Sequence, residues 1–123
     1  MQEIGELAAR LREFAAERDW EQFHTPKNLA MALAGEVGEL VAEFQWLTPD
    51  ESRQVTGDPE ADARIRAELG DVFIYLTRLA DLLGVDLLEA AADTLEHSAL
   101  RYTPESYRGS ARKAPPLKRP ENR

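Results

Sequence analysis

Two acid doublets set among glycines are the residues with chemistry to offer. Glu36 and Glu39 stand in Ala34-Gly35-Glu36-Val37-Gly38-Glu39 and, after 28 intervening residues, Glu68 and Asp71 stand in Glu68-Leu69-Gly70-Asp71. Like charges three residues apart on a helix repel, and each interior glycine costs roughly 1 kcal/mol relative to alanine. A chain selected only for helix stability avoids both. Four carboxylates held between two helices would instead reward a polyvalent cation, and such hard oxygen donors suit Mg²⁺ or Mn²⁺, which join a few carboxylates to substrate phosphates. Spacing alone decides little, because five acid-x-x-acid pairs occur in the chain. Angle decides more. At about 100° per residue the apolar stripe Leu29, Leu33, Val37, Leu40 and Phe44 lies about 20–100° from Glu36, with Glu39 at about 300°. Ile65, Leu69, Val72, Leu76, Leu79 and Leu83 hold the same relation to Glu68 and Asp71, so both doublets border a core. Of the other pairs, Asp86/Glu89 and Asp93/Glu96 fall opposite their apolar face, and Glu3/Glu6 sits in a first turn where the helix dipole favours acids. A di-iron bundle is the rival arrangement. It needs Glu-x-x-His on two helices, whereas the chain has one such pair, Glu21-x-x-His24 in the expected aromatic loop, and His97 has Thr94 at that spacing.

The elements that must position these acids are legible from their ends. Ile4, Leu7, Leu11 and Phe14 repeat at helical spacing and predict a first helix to about Arg18, followed by an aromatic loop over residues 19–24. Thr25-Pro26 reads as N-cap and first helical residue of a long second helix reaching about Trp46. Thr48-Pro49-Asp50-Glu51 repeats the signal with Glu51 at the capping-box position, so a short helical turn is expected within residues 48–55. Asp58-Pro59 opens a third long helix that Gly84 stops. Asp86 with Glu89 opens a fourth through Leu88, Ala91, Ala92, Leu95 and Ala99, ended by Thr103-Pro104. No alternating β pattern and no internal repeat is present. The expected architecture is an all-α, four-helix bundle with the second and third helices as its central pair.

The chain has 123 residues, so it reads as one domain of a size where oligomer contacts often complete the core. Its net charge is −8, and six basic groups against Glu121 within residues 108–123 make the remainder more acidic still. An acidic body repels nucleic-acid backbones, which argues against a polymer ligand. A small anionic substrate would need a cation supplied with it. Residues 1–107 form the expected domain and residues 108–123 a basic, proline-rich tail, expected to be disordered past about Lys113. Cysteine is absent and no basic-then-apolar leader or apolar run of about 20 residues is present, which fits a cytoplasmic protein without a membrane partner.

The acid pattern Glu36-x-x-Glu39, 28 residues, Glu68-x-x-Asp71 resembles the signature of the MazG-like all-α nucleoside triphosphate pyrophosphatases. The stretches Phe14-Ala-Ala-Glu-Arg-Asp-Trp20-Glu-Gln-Phe-His24, Pro26-Lys-Asn-Leu29, Gly35-Glu-Val-Gly-Glu-Leu40, Phe44-Gln-Trp46 and Asp71-Val72-x-Ile74-Tyr-Leu76 are similar to the dCTP pyrophosphatase branch. The similarity covers about residues 4–104. It implies Mg²⁺ (or Mn²⁺) at Glu36, Glu39, Glu68 and Asp71, with Glu36 and Glu39 also catalytic. It implies hydrolysis between the α and β phosphates of a deoxynucleoside triphosphate, most naturally dCTP or a modified dCTP, giving the monophosphate and pyrophosphate in nucleotide-pool house-cleaning. The same chemistry on dUTP or another non-standard nucleotide, or a nucleotide-binding protein of weakened turnover, are the alternatives. The substrate-binding set implied is Trp20, Gln22, Phe23, His24, Trp46 and Tyr75, with Lys27 and Arg101 as candidate phosphate contacts. Trp20, Phe23 and Trp46 have aromatic faces that stack on bases, and Tyr75 shares the acid-bearing face of its helix at about 340° from Glu68. A homodimer or homotetramer is implied as well. Departures from the branch stand at Leu11, where some relatives have histidine, and at Thr94 and Ser98, where relatives often have lysine and asparagine.

Overall fold

The computed structural model describes residues 3–117 and is all-helical, with no strand among them. Four longer helices stand where the sequence places them, α1 (Ile4–Glu17) by its apolar repeat and α2 (Pro26–Ala42), α4 (Pro59–Leu83) and α5 (Leu87–Arg101) by their capping signals. Between α2 and α4 lie the short α3 (Pro49–Arg53) and a 3₁₀ turn (Val55–Gly57), and α6 (Pro104–Tyr107) follows α5. The caps form as the side chains dictate. Thr25 accepts from the Asn28 N–H, Asp58 from that of Glu60 and Asp86 from that of Glu89, and Pro follows the cap at α2, α3 and α4. At α3 the Thr48 hydroxyl and the Glu51 carboxylate satisfy each other's backbone N–H, a complete capping box. Gly84 ends α4 at φ 68°, a left-handed conformation that glycine adopts without penalty.

The chain divides into two compact units, Met1–Val85 and Asp86–Arg123. In the first, α2 and α4 pack along one another and α1 packs on α4. Leu29 of α2, Ala61, Ile65, Thr77 and Ala80 of α4 and Ala15 of α1 are buried there. Small side chains at four of these six positions let the helices approach closely. An exposed ion pair ties α4 to the residue after α2: the Arg64 Nε–H donates to both carboxylate oxygens of Glu43, at 3.1 and 3.2 Å.

Two expectations about this unit need correction. The second helix ends at Ala42 rather than about Trp46, because Glu43, Phe44 and Leu47 donate to carbonyls three residues back and tighten the chain into turns. The expected core residues Val37, Leu69 and Leu83 are exposed, Leu69 by 52% and Leu83 by 56%. Their angular position is apolar, but a chain of this length does not supply enough helices to cover every apolar side.

In the second unit α5 leads into α6, and the following segment folds back on them. The Arg101 guanidinium donates to the carbonyls of Ala114 (2.7 Å) and Pro115 (3.3 Å), and the Ala114 N–H donates to the Tyr102 hydroxyl. Tyr102 meets Tyr107 edge-to-face at 5.0 Å, and the Arg112 guanidinium lies over the Tyr107 ring. Ala114 is buried. Two tyrosines and one arginine thus give the short segment up to Pro115 its partners. The basic residues Lys118, Arg119 and Arg123 of the expected tail lie outside the described residues.

Candidate active site

The antiparallel pairing of α2 and α4 brings the doublets together. One carboxylate oxygen from each of Glu36, Glu39 and Glu68 lies within 4.8 Å of the other two. Asp71, one turn after Glu68, is not part of that triad, although its charge still acts on Glu36 and Glu68. The Oε2 atoms of Glu36 and Glu68 are closed off from solvent and have no hydrogen-bond partner. A buried carboxylate oxygen without a donor is costly. Burial first, and then the neighbouring Glu39 carboxylate, hold both Glu36 and Glu68 above the ordinary carboxylate value. A divalent cation resolves all three problems at once: it supplies the missing partner for the two orphaned oxygens, offsets the desolvation and cancels the mutual repulsion. The donor set, carboxylate oxygens alone, fits Mg²⁺ or Mn²⁺. The flanking glycines Gly35, Gly38 and Gly70 face open space, with no atom within 4 Å of where a Cβ would stand.

The raised values carry a sign for stability. Both carboxylates bind protons more tightly folded than unfolded, so their contribution is complete below the ordinary value of 4.5 and is lost as pH rises through the raised native values. We expect the thermal midpoint of the metal-free protein to fall from this cause as pH climbs above 4.5. The Glu36→Gln/Glu68→Gln double variant should lack that fall, and Mg²⁺ should reverse it in the parent chain. Circular-dichroism melts across the acid-to-neutral range in EDTA and in Mg²⁺ check this.

Farther along α4 a cavity of about 290 Å³ opens against α1 and the loop after it. It is lined by Arg10, Leu11 and Phe14, by Trp20 and His24, and by Tyr75 and Arg78. The loop is shaped by the end of α1. Asp19 takes φ 53°, its N–H donates to Ala16 and the Trp20 N–H reaches back to the Ala15 carbonyl. This is a Schellman ending with aspartate in the place glycine usually fills. It sets Trp20 where it meets Phe14 edge-to-face at 5.6 Å, with the His24 ring 6.3 Å beyond. The Arg78 Nε–H donates to His24 Nδ1 at 3.2 Å. Nδ1 is therefore an acceptor, and the proton of neutral His24 sits on Nε2. Burial, then the Arg78 charge, hold the His24 pKa below its ordinary value, so the neutral form persists.

The carboxylate cluster and the aromatic cavity thus share α4, the first formed with α2 and the second with α1 and the loop after it. The model of the MazG nucleotide pyrophosphohydrolase domain matches residues 24–102. The chain belongs to the MazG family. It is 48% identical over 107 residues to dCTP pyrophosphatase 1 of Mus musculus, covering 87% of this chain and 63% of that protein. It is 48% identical over 101 residues to the Homo sapiens dCTP pyrophosphatase 1, covering 82% of this chain and 59% of that one. The chain thus spans less than two thirds of the length of these relatives. A pyrophosphatase from Archaeoglobus fulgidus has a similar structure, with a TM-score of 0.74 and 37% identity over 80% of this chain and 91% of that chain.

Within this MazG domain the structure gathers some of the expected site residues and not others. Glu36, Glu39 and Glu68 converge, and Trp20, His24 and Tyr75 line one cavity. Gln22 closes its own loop, its amide donating to the Asp19 carbonyl and carboxylate. Phe23 is 58% and Trp46 87% exposed, and neither lines the cavity; nor does Lys27, exposed in the first turn of α2. Arg101 belongs to the C-terminal unit and is engaged by the Ala114 and Pro115 carbonyls. Sequence reasoning missed Arg78 and Arg10, and it named Phe14 only in the apolar repeat of the first helix and in the stretch that carries the resemblance. A signal for Arg78 was present: it stands seven residues after Asp71, two turns along the same face as Tyr75, in a run otherwise apolar.

Proposed function

We propose that this chain hydrolyses a deoxynucleoside triphosphate of the cytosine type, in the presence of Mg²⁺, to the monophosphate and pyrophosphate. The observation that carries the reading is the convergence of Glu36, Glu39 and Glu68, two with orphaned oxygens, one to two turns of α4 from the cavity that holds Trp20 and Tyr75. Water attacks the α phosphorus, the bond to the oxygen bridging the α and β phosphates breaks, and pyrophosphate leaves with that oxygen. Glu36 and Glu68, with Asp71 beside them, would hold the cation, which when bound neutralises phosphate charge and acidifies water. Glu39, the exposed member of the triad, would accept the proton of the attacking water. Trp20 and Tyr75 hold the base and sugar, and Phe14 braces Trp20 from behind. The exposed apolar residues Met31, Val41, Leu69 and Leu83 support assembly of two or four copies, and the deoxynucleotide pool makes the cytoplasm the place of action. Among the described residues no helix is long and apolar enough to cross a membrane.

Pyrophosphate release from each common dNTP and NTP, with Mg²⁺ and with EDTA, tests the proposal. Magnesium-dependent release led by dCTP is expected. Metal-dependent nucleotide binding without release would replace hydrolysis with a binding role, and release led by dUTP would move the substrate.

A further inference from the structure

Arg78 is a buried cation with unspent donors. Its residue exposure is 5%, yet among the described residues its side chain makes one hydrogen bond, from Nε to His24 Nδ1. Its nearest carboxylate, Asp81 Oδ2, stands 3.7 Å from Nη1, too far for a hydrogen bond, and Asp81 is already taken at 2.7 Å by Arg12. The Nη atoms are nonetheless not among the side-chain atoms closed off without a partner, whereas Glu36 Oε2, Glu68 Oε2 and Thr77 Oγ1 are. Its Nη end is therefore not fully closed off, and Arg78 lines the cavity. A guanidinium is always charged and only donates, so a ligand group that meets it in the cavity must accept.

Position along α4 says which part of a ligand that is. Asp71, Tyr75 and Arg78 follow one face, and at 1.5 Å per residue Arg78 lies about 10 Å beyond Asp71 along the axis, with Tyr75 between them. Phosphates at the carboxylates leave the sugar level with Tyr75 and the base level with Arg78, beside Trp20. We infer that Arg78, aimed by His24, is the residue that reads the base, and that it selects an edge with two adjacent acceptors, the O2 and N3 atoms of cytosine. Uracil and thymine present N3–H at that place, a donor facing a donor. A site built to donate rejects the ligand that cannot accept far more strongly than a site relying on shape. This inference rests on the nucleotide reading of the site and adds the determinant of its base preference.

Nucleoside monophosphates test it independently of hydrolysis, since they have no pyrophosphate to lose. Calorimetric titration of the full chain with dCMP and with dUMP is expected to give at least tenfold tighter binding of dCMP. Arg78→Met, which keeps the length and removes the donors, should bring the two ligands within threefold of each other, chiefly by weakening dCMP. Arg78→Lys keeps the charge without the planar fork and should also lose most of the preference; it serves if the methionine variant does not fold by circular dichroism. Equal weakening of both ligands, an unchanged ratio in the lysine variant, or no preference in the parent chain overturns the inference. A dCMP preference dependent on Arg78 in a protein that releases no pyrophosphate would sustain the inference and remove the hydrolytic proposal. Release from every dNTP alike, with no Arg78 dependence, would do the reverse.

Discussion

Glu68→Gln is expected to lower turnover by about 10³-fold or more while leaving the metal-free protein at least as stable as its parent. The two effects come from one cause. Glu68 is half-buried, its Oε2 has no partner, and Glu39, Glu36 and Asp71 all act to disfavour its charge. A neutral amide of the same shape removes that repulsion and can donate to a neighbouring carboxylate. What it cannot do is contribute charge to a divalent cation, so the same change that relaxes the apo protein dismantles the ligand set. Glu36→Gln should behave alike, because its Oε2 is orphaned in the same way. Melting curves with and without Mg²⁺ separate the two effects: the parent should gain stability with Mg²⁺ by mass action and the variants should gain little. Pyrophosphate release assayed on the same samples supplies the turnover. Full activity in either variant would show that the triad is a repulsive cluster tolerated for another reason.

The sequence was most informative where one residue does one local job. Thr25, Thr48, Asp58 and Asp86 are caps by side-chain chemistry alone, and Gly84 is a stop by backbone freedom alone, so these four helix starts and the end of α4 could be read without knowing the fold. The acid triad was legible for a related reason, since angular position on a helix needs only the residue count. Asp71 shows the limit of that arithmetic. It has the same angle relative to Glu68 as Glu39 has to Glu36, but the register between α2 and α4, which no single helix encodes, leaves it outside the 4.8 Å cluster. Long-range partners were equally hidden. His24 and Arg78 are 54 residues apart, and Arg101 meets Ala114 across a reversal of the chain. The Schellman ending was missed because aspartate, not glycine, occupies its left-handed position. Leu69 and Leu83 carry the right polarity for a core, and only the packed chain reveals that its own helices do not cover them.

Trp20→Ala is expected to weaken nucleotide binding by about 1–3 kcal/mol, roughly a fivefold to 150-fold rise in Kd, through loss of base stacking. The alternative is that Trp20 serves only to close the end of α1 against Phe14. The exposure of its ring favours the first role. Trp20 is 43% exposed and Phe14 44%, so their edge-to-face contact leaves a large part of each ring open, and both rings line the cavity. The Schellman hydrogen bonds that set the loop are made by backbone N–H groups and survive the truncation, so apo stability should fall by much less than binding. Trp20→Phe refines the test, because a smaller ring retains part of the stacking area: its affinity should lie between those of the parent and the alanine variant. Calorimetric titration with dCMP, paired with urea denaturation of each variant, reads both quantities. An affinity within twofold of the parent in Trp20→Ala, accompanied by a large loss of stability, would assign the residue to packing and leave Tyr75 and Arg78 to hold the base.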